Sequence, residues 1–468
     1  MRNKFWSFLA ILFFQIAESE SVRASEEKEL SHLQVIDSAG KHYPQILSYY
    51  EKVNAAEGSA LGSLGFFDIT LKQNYVDKSR GFYDGKTTDS LIEKELGTFG
   101  AKVYGGYRKS FGNFADYEGG SYTNGGGEYR AGAKFSVLRN SSIDQNRLGV
   151  ILANLGLKES RIQLENIRRK IERDATKAYW NWVAAAKVLD IYEGLYNLAL
   201  KRERQLEERL KVGDVAQIIV VENKKNILRR KSALAKAKQD LESSAIYLSL
   251  FWRDESGIPK IPKHDQAPKT IDHSLRKIGH EKVILDSETA LINRPEIRIL
   301  KIKIEQNSSE LKYADNLFKP QLDFEIGASK DLGSGPNSRS QSNNYVGVDF
   351  SIPLQQREAR GKSAEYSSKL KSLKLESQLM EEQIKAELGQ LKIEISTLFD
   401  IHDNLVEEAK FAEILEDSER EKFKHGASNF FLVNMREQDT AASKAAVVEM
   451  FAKYQGSLAD YKMAVFSD

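Results

Sequence analysis

Two hydrophobic rhythms alternate along this chain. The first has a period of two. In Gly65–Tyr75 (GFFDITLKQNY), Phe67, Ile69, Leu71 and Tyr75 alternate with Asp68, Thr70, Lys72 and Asn74. Glu128–Val137 repeats the pattern, with Tyr129, Ala131, Ala133, Phe135 and Val137 set against Glu128, Arg130, Lys134 and Ser136. Further on, Leu322, Phe324, Ile326 and Ala328 alternate with Asp323, Glu325 and Ser329. Val346, Val348, Phe350 and Ile352 alternate with Gly347, Asp349 and Ser351. Such alternation predicts strands with one apolar and one polar face. A fifth candidate, Gly100–Arg108, sets Ala101, Val103 and Tyr107 against Lys102 and Arg108.

The second rhythm steps by three and four, the spacing of packed helices with a narrow apolar seam. It runs through Leu164, Ile167, Ile171, Ala175, Ala178 and Trp182, and again through Ile384, Leu388, Leu391, Ile395, Leu398, His402 and Leu405. Leu234, Ala237, Leu241, Ser244, Leu248 and Phe251 carry it in a third stretch. A helix from Ser141 to Lys211 would be roughly 105 Å long at 1.5 Å per residue, which predicts an elongated molecule. Each long run breaks at one glycine, Gly213 or Gly426, directly after a basic or His-bearing end, as a glycine cap requires. Two antiparallel helical hairpins are therefore expected. Pro44 and Pro295 sit where shorter helices should begin.

The plan is written twice. AGAKFS (Ala131–Ser136) and VGVDFS (Val346–Ser351) each precede a long helical run, and the distances from Phe135 to Gly213 and from Phe350 to Gly426 agree to within two residues. Such self-similarity implies an internal structural repeat. The halves differ between Pro44 and Phe135, where the first is longer and holds two strand candidates ahead of Glu128–Val137. A chain that must return to the side it left cannot make three full spans, so either Gly65–Tyr75 or Gly100–Arg108 does not cross. Distance from Pro44 favours Gly65–Tyr75 as the spanning strand, and loop length favours Gly100–Arg108. Ser121–Gly127 and Gly333–Asn344 read as exposed glycine-rich loops.

Lys and Arg together number 69 and Asp and Glu 67, so the bulk charge carries no nucleic-acid footprint. Charged residues make up 29% of the chain, which suits long solvated helices. Arg2 and Lys4 precede an apolar stretch, Phe5–Ala17, and Val22-Arg23-Ala24 offers a cleavage pattern, so residues 1–24 are expected to be a signal peptide. There is no cysteine, which excludes disulfides, thiolate chemistry and an acylated N-terminal Cys. No later apolar run is long enough for a spanning helix, so a membrane-spanning part would have to be a β-barrel. No phosphate loop, nucleophile elbow or metal spacing appears, and no enzyme, cofactor or metal site is expected.

The ordered motifs Arg294-Pro295-Glu296, Lys319-Pro320-Gln321-Leu322 and Ile352-Pro353-Leu354 resemble those of the TolC-like outer membrane efflux family, the outer membrane factors. So do the tip sequences Leu210-Lys211-Val212-Gly213 and Phe423-Lys424-His425-Gly426. Phe135–Asn140 fills the matching strand exit of the first half but lacks the proline seen at Pro353. The resemblance covers nearly all of the chain after residue 24. It implies an α+β membrane protein: a homotrimer in which each subunit gives four strands to one twelve-stranded outer-membrane β-barrel, continued by a long α-helical coiled-coil barrel across the periplasm of a Gram-negative-type cell. It implies a passive exit duct for tripartite efflux or type I secretion, driven by an inner-membrane pump or export ATPase through a periplasmic adaptor.

On this plan 25–64 is the N-terminal segment and first helix, with residues 25–43 expected to be a poorly ordered polar lead-in, and 65–138 the first barrel hairpin with a loop insertion. The first long helical hairpin is 139–253, followed by a linker and equatorial segment at 254–292. The second repeat holds a helix at 293–319, a barrel hairpin at 320–354 and a helical hairpin at 355–468. Four strands cannot close alone, because edges facing lipid would leave backbone groups unpaired. Asp68, Lys72, Arg130, Lys134, Asp323 and Asp349 would then line a watery barrel lumen.

The resemblance makes Val212, Gly213, Asp214, His425, Gly426 and Ala427 candidates for adaptor docking, although the glycines serve as helix stops in any case. Family members often carry an aspartate six residues after each tip glycine. Here Ile219 and Leu432 stand in those places, and Ser428 stands where a basic residue occurs, so the expected periplasmic aperture is apolar, around Ile219, Ser428, Phe430, Phe431 and Leu432. His402 reads as a packed seam residue rather than a metal ligand, Trp180 and Trp182 as packing residues, and Arg229-Arg230-Lys231 as part of a solvated face. Two other readings fit the pattern: a soluble periplasmic coiled-coil adaptor or scaffold, and a trimeric surface protein binding partners through Lys78–Gly127.

Overall fold

The computed structural model describes residues 29–115, 120–270, 275–277 and 279–466; the expected signal peptide lies outside them. Eight helices and six strands are found among the described residues: α1 (His32–His42), α2 (Pro44–Leu64), β1 (Ile69–Asp77), β2 (Gly85–Glu95), β3 (Lys102–Gly112), β4 (Gly127–Ser136), α3 (Gln145–Lys211), α4 (Gln217–Ser249), α5 (His280–Asn293), α6 (Pro295–Asn316), β5 (Gln321–Leu332), β6 (Ser342–Ser351), α7 (Arg357–Lys424) and α8 (Phe430–Val465). They form two compact units. One comprises residues up to Leu47, Ile167–Ala290 and Lys385 onward; the other comprises Ser48–Asn166 and Leu291–Ile384.

The first unit is helical. Its core is the seam expected from the three-four spacing: Ala175, Trp182, Leu248, Leu388 and Ile395 are each shut off from solvent. The segment before Tyr43, expected to be a poorly ordered lead-in, is helix α1. Ser31 caps it, exchanging hydrogen bonds with Gln34, and Val35 and Ala39 are buried, so a short amphipathic helix forms despite the polar composition. His402 is buried with its ring 6.1 Å from Phe451, and Trp180 meets the same phenylalanine edge-on at 5.3 Å. Arg230, expected on a solvated face, is buried.

The second unit holds a single antiparallel sheet in the order β1-β2-β3-β4-β5-β6, together with α6 and parts of α2, α3 and α7. Pro295 opens α6 at its first turn, as expected. The sheet corrects the expected four strands per subunit: there are six, and the sheet is open. Of the two strands beyond four, the one with no candidate stretch in the sequence is β2, inside the segment read as a loop insertion. It pairs with β1 over nine positions, Ile69↔Lys94 to Asp77↔Lys86, and with β3 over eleven, Gly85↔Gly112 to Glu95↔Lys102. Both contested stretches are therefore strands, and the parity conflict vanishes because the first half makes four strands rather than three. Residues Gly65–Phe67 are a turn of 3-10 helix, so the first strand starts later than its alternation suggested. Asp68 caps that turn and lies outside β1.

Candidate functional site: a two-faced sheet and two capped tips

Strand pairing fixes which side chains share a face of the sheet. Directly paired residues point the same way, so the register carries one face across all six strands. One face bears Ile69, Leu71 and Tyr75 on β1, Ile92 on β2, and Val103, Tyr107 and Phe111 on β3. On the same face lie Tyr129 and Phe135 of β4, Phe324 and Ile326 of β5, and Val346, Val348 and Phe350 of β6. These apolar groups are open to solvent at the edges: Leu71 is 67% and Val346 72% exposed. The aromatic residues fall in two belts. Tyr75, Tyr107, Phe111 and Tyr129 lie at the loop end, with the rings of Tyr107 and Tyr129 4.9 Å apart; Phe135, Phe324 and Phe350 lie at the helix end, with Phe135 and Phe324 stacked at 5.9 Å. An apolar band between two aromatic belts is the pattern of a lipid-facing barrel wall.

The opposite face is polar and internally paired. Glu93 on β2 accepts ion pairs from Lys72 on β1 at 2.5 Å and from Lys102 on β3 at 2.7 Å. Arg130 on β4 reaches past β3 to Asp89 on β2 at 2.5 Å. Lys134 pairs with Asp349 at 3.3 Å and Asp323 at 3.5 Å. Five of the six candidate lumen residues thus share one face, and Asp68 does not join them. Tyr104 and Tyr345 both donate to Glu325, at 2.7 and 3.0 Å. Their rings lie over Gly132 and Gly327, where a Cβ would come within 2.5 Å of the tyrosines. The loops at this end are tied together: the amides of Gly125 and Gly126 donate to the carbonyls of Ser334 and Leu332.

The helical hairpins turn at two matched caps. Gly213 has φ +75° and Gly426 φ +73°. The Gly213 amide donates to Leu210 O and the Asp214 amide to Arg209 O; the Gly426 amide donates to Phe423 O and the Ala427 amide to Lys422 O. Both are the six-to-one, five-to-two Schellman pattern, which needs a left-handed residue and hence glycine. Val212 is 79% exposed beside the first cap. The first tip is braced by an Arg209–Asp214 pair at 2.5 Å, and in the second Ser428 bonds to Glu419.

The candidate aperture residues divide. Phe430 is buried with Leu206 and Val220, and Ile219 packs against the same cluster, so these two join the hairpins to each other. Phe431 is 64% exposed, and Leu432 is half-buried. Asn429 caps α8 by accepting from the Leu432 amide at 3.0 Å.

Sequence reasoning missed a buried ionic cluster close to these tips. Glu437 on α8 accepts from Arg230 on α4 at 2.8 Å and from Arg202 on α3, while Asn434 accepts from Arg202 at 3.0 Å and from Arg230 at 3.1 Å. Arg230 also donates to Leu195 O at 2.9 Å, and Arg420 on α7 approaches Glu437 at 3.4 Å. All four long helices meet there. Burial pushes the Glu437 carboxyl up, but the Arg202 and Arg230 guanidiniums outweigh it and hold it below the usual carboxylate range. The Arg229-Arg230-Lys231 run offered no signal of this, because a buried guanidinium is recognisable only with its partner beside it.

No family model matches the sequence, and no curated protein matches it. Solved structures do. The outer-membrane channel OprN aligns with a TM-score of 0.64 over 93% of this chain and 90% of its own, at 10% identity. The open state of the Neisseria gonorrhoeae MtrE outer membrane channel also gives 0.64, over 96% of this chain and 93% of its own, at 14% identity. VceC, an outer membrane protein from Vibrio cholerae, gives 0.63 over 93% of this chain and 96% of its own, at 14% identity. The fold is that of these outer-membrane channels. Among the described residues no helix is long and apolar enough to cross a membrane.

Proposed function

We propose that this chain is a subunit of a passive exit duct in the outer membrane of a Gram-negative-type cell, with a large periplasmic part. Copies assemble as a homotrimer whose sheets close a barrel and whose helices continue it as a coiled-coil tube. The observation that carries the reading is the sheet: an apolar face between two aromatic belts, a polar face of cross-strand ion pairs, and two open edges that lipid would not tolerate. Exposed apolar residues on the long helices, Ile218, Val221 and Leu228 on α4 and Phe411 and Ile414 on α7, supply contact surface for further copies.

The duct supplies no energy and carries out no catalysis. An inner-membrane pump or export ATPase drives cargo through it, as in tripartite efflux or type I secretion, and a periplasmic adaptor docks at Val212, Gly213, Asp214, His425, Gly426 and Ala427. The polar sheet face, with Lys72, Arg130, Lys134, Asp323 and Asp349, lines the lumen. Phe431 and Leu432 form the apolar rim of the periplasmic aperture, backed by the packed Phe430 and Ile219.

A soluble adaptor leaves the belted apolar face without purpose, and much of the stretch that the surface-protein reading relies on, Lys78–Gly127, is taken up by β2 and β3. Extraction in detergent, measurement of the assembly mass and recording of conductance in planar bilayers test the proposal. A detergent-dependent trimer with discrete channels is expected; a soluble monomer without conductance would sink it.

A further inference from the structure

We infer that the barrel wall built by this chain takes all six strands from each copy, the β6 edge of one copy pairing with the β1 edge of the next, so that three copies close eighteen strands rather than twelve. The inference rests on the duct reading proposed above and concerns how its wall closes.

Parity comes first. The sheet is antiparallel throughout and has six members, so β1 and β6 run in opposite directions. A β6 edge therefore meets the β1 edge of a second copy in the same antiparallel sense, and the alternation continues without a break around a closed ring. Each edge carries a row of backbone N–H and C=O groups with no strand beside it among the described residues. In hydrocarbon each such group costs several kcal/mol, so a wall must pair them.

The β1–β2 hairpin belongs to the wall by length and by bonding. The six strands hold 9, 11, 11, 10, 12 and 10 residues, close to one membrane crossing each. On the polar face the Lys72–Glu93–Lys102 triad ties β1, β2 and β3 together, and Arg130–Asp89 ties β4 to β2 across β3. A hairpin peeling away from β3 would break both and strand the charges.

The outward face of β2 is its least apolar part, with Thr88, Ser90 and Ile92 between Lys86 and Lys94. The structure provides for these polar groups. Ser90 donates to Gln73 on β1 at 2.6 Å, and Lys86 pairs with Asp77 at 2.9 Å near the loop end. Lys94 stands at the opposite end, where a long side chain reaches the interface. On the two edge strands the outward residues match in kind: Ile69 and Leu71 on β1 face the same way as Val348 and Phe350 on β6, and both sets lie toward the helix end.

The absence of native cysteine makes the test direct. Leu71→Cys is combined with Val346→Cys, Val348→Cys or Phe350→Cys, all on the apolar face, and the detergent-extracted full-length protein is oxidised. Interchain disulfides producing covalent dimers and trimers are expected in at least one of the three. In a parallel set, Val103→Cys on β3 replaces Leu71→Cys. Links from β3 to β6 with none from β1 would overturn the inference, placing β1–β2 outside a twelve-stranded wall while leaving the duct reading intact. No interchain link from either set, in a protein that runs as a monomer, would sink both. Electron cryomicroscopy of the unmodified protein guards against variants that fail to fold. Barrel diameter grows about linearly with strand number, so eighteen strands give a wall about one and a half times as wide as twelve; a twelve-stranded cross-section would refute the inference.

Discussion

Arg230 donates to Glu437 over 2.8 Å at a point where four long helices converge and both side chains are buried. Removing one member of a buried charged set leaves the others desolvated and unpaired, at a cost of about 3–5 kcal/mol. Glu437→Ala should therefore lower thermal stability markedly in detergent, followed by circular dichroism at constant protein concentration. Arg420→Ala, whose side chain is 35% exposed and lies 3.4 Å from Glu437, should cost far less. Equal losses for the two variants would show that the cluster does not join the helices.

The same carboxylate sets an acid limit. Its folded pKa lies below the ordinary 4.5, so its charged partners contribute stability that is fully present above the unfolded value and is lost as the pH falls through the folded one. The melting temperature should fall as the pH is taken below about 4.5. Glu437→Gln should be less stable at neutral pH and should show a shallower acid decline. An acid limb unchanged by the substitution would assign the loss to other groups.

On the polar face of the sheet, the Tyr104 ring occupies the space a side chain at Gly132 would need, with 2.5 Å left to its hydroxyl and 2.7 Å to the Ile326 carbonyl. Gly132→Val should displace that ring from Glu325 and destabilise the sheet by about 1–3 kcal/mol. Gly105 makes the control, because a Cβ there meets only Arg130 O at 3.9 Å. Unfolding monitored by gel mobility after heating should separate the two variants.

Phe430 and Phe431 are neighbours in sequence with opposite duties. Phe430→Ala should cost about 3–5 kcal/mol through the cavity it opens among Leu206 and Val220. Phe431→Asp should leave stability nearly unchanged and alter single-channel conductance, as should Leu432→Asp. Unaltered currents in both aspartate variants would remove the apolar aperture.

At the tips, Gly213→Ala or Gly426→Ala places a Cβ in open space but in a left-handed backbone, with a penalty of about 1–2 kcal/mol. Assembly should survive either change, as size-exclusion chromatography in detergent will report. Val212→Asp, at 79% exposure, should leave the melting temperature unmoved and weaken capture of the periplasmic adaptor in cells, measured by cross-linking.

Much of this architecture was readable from spacing alone. Seam residues such as Ala175, Leu248 and Ile395 repeat every three or four positions, and a helix buries whatever lies on one stripe. Gly213 and Gly426 announced the turns because a helix ending in the left-handed region asks for glycine. Strands β1, β4, β5 and β6 showed themselves by alternation. Strand β2 did not, because its outward residues include lysine, threonine and serine, and no apolar period of two survives. Its presence follows from what lies beside it: β1 and β3 both need a partner, and Glu93 sits between Lys72 and Lys102. Helix α1 was hidden for a similar reason, its two buried positions being too few to mark a stripe.

The sequence by itself determined the long helices, their glycine turns and the polarity of the sheet, because each depends on neighbours within a few residues. Only the tertiary structure decided the number of strands, the burial of Arg230 against Glu437 and the separate fates of Phe430 and Phe431. Those outcomes depend on which residues, far apart in the chain, share a face once the backbone hydrogen bonds and the buried charges have all found partners.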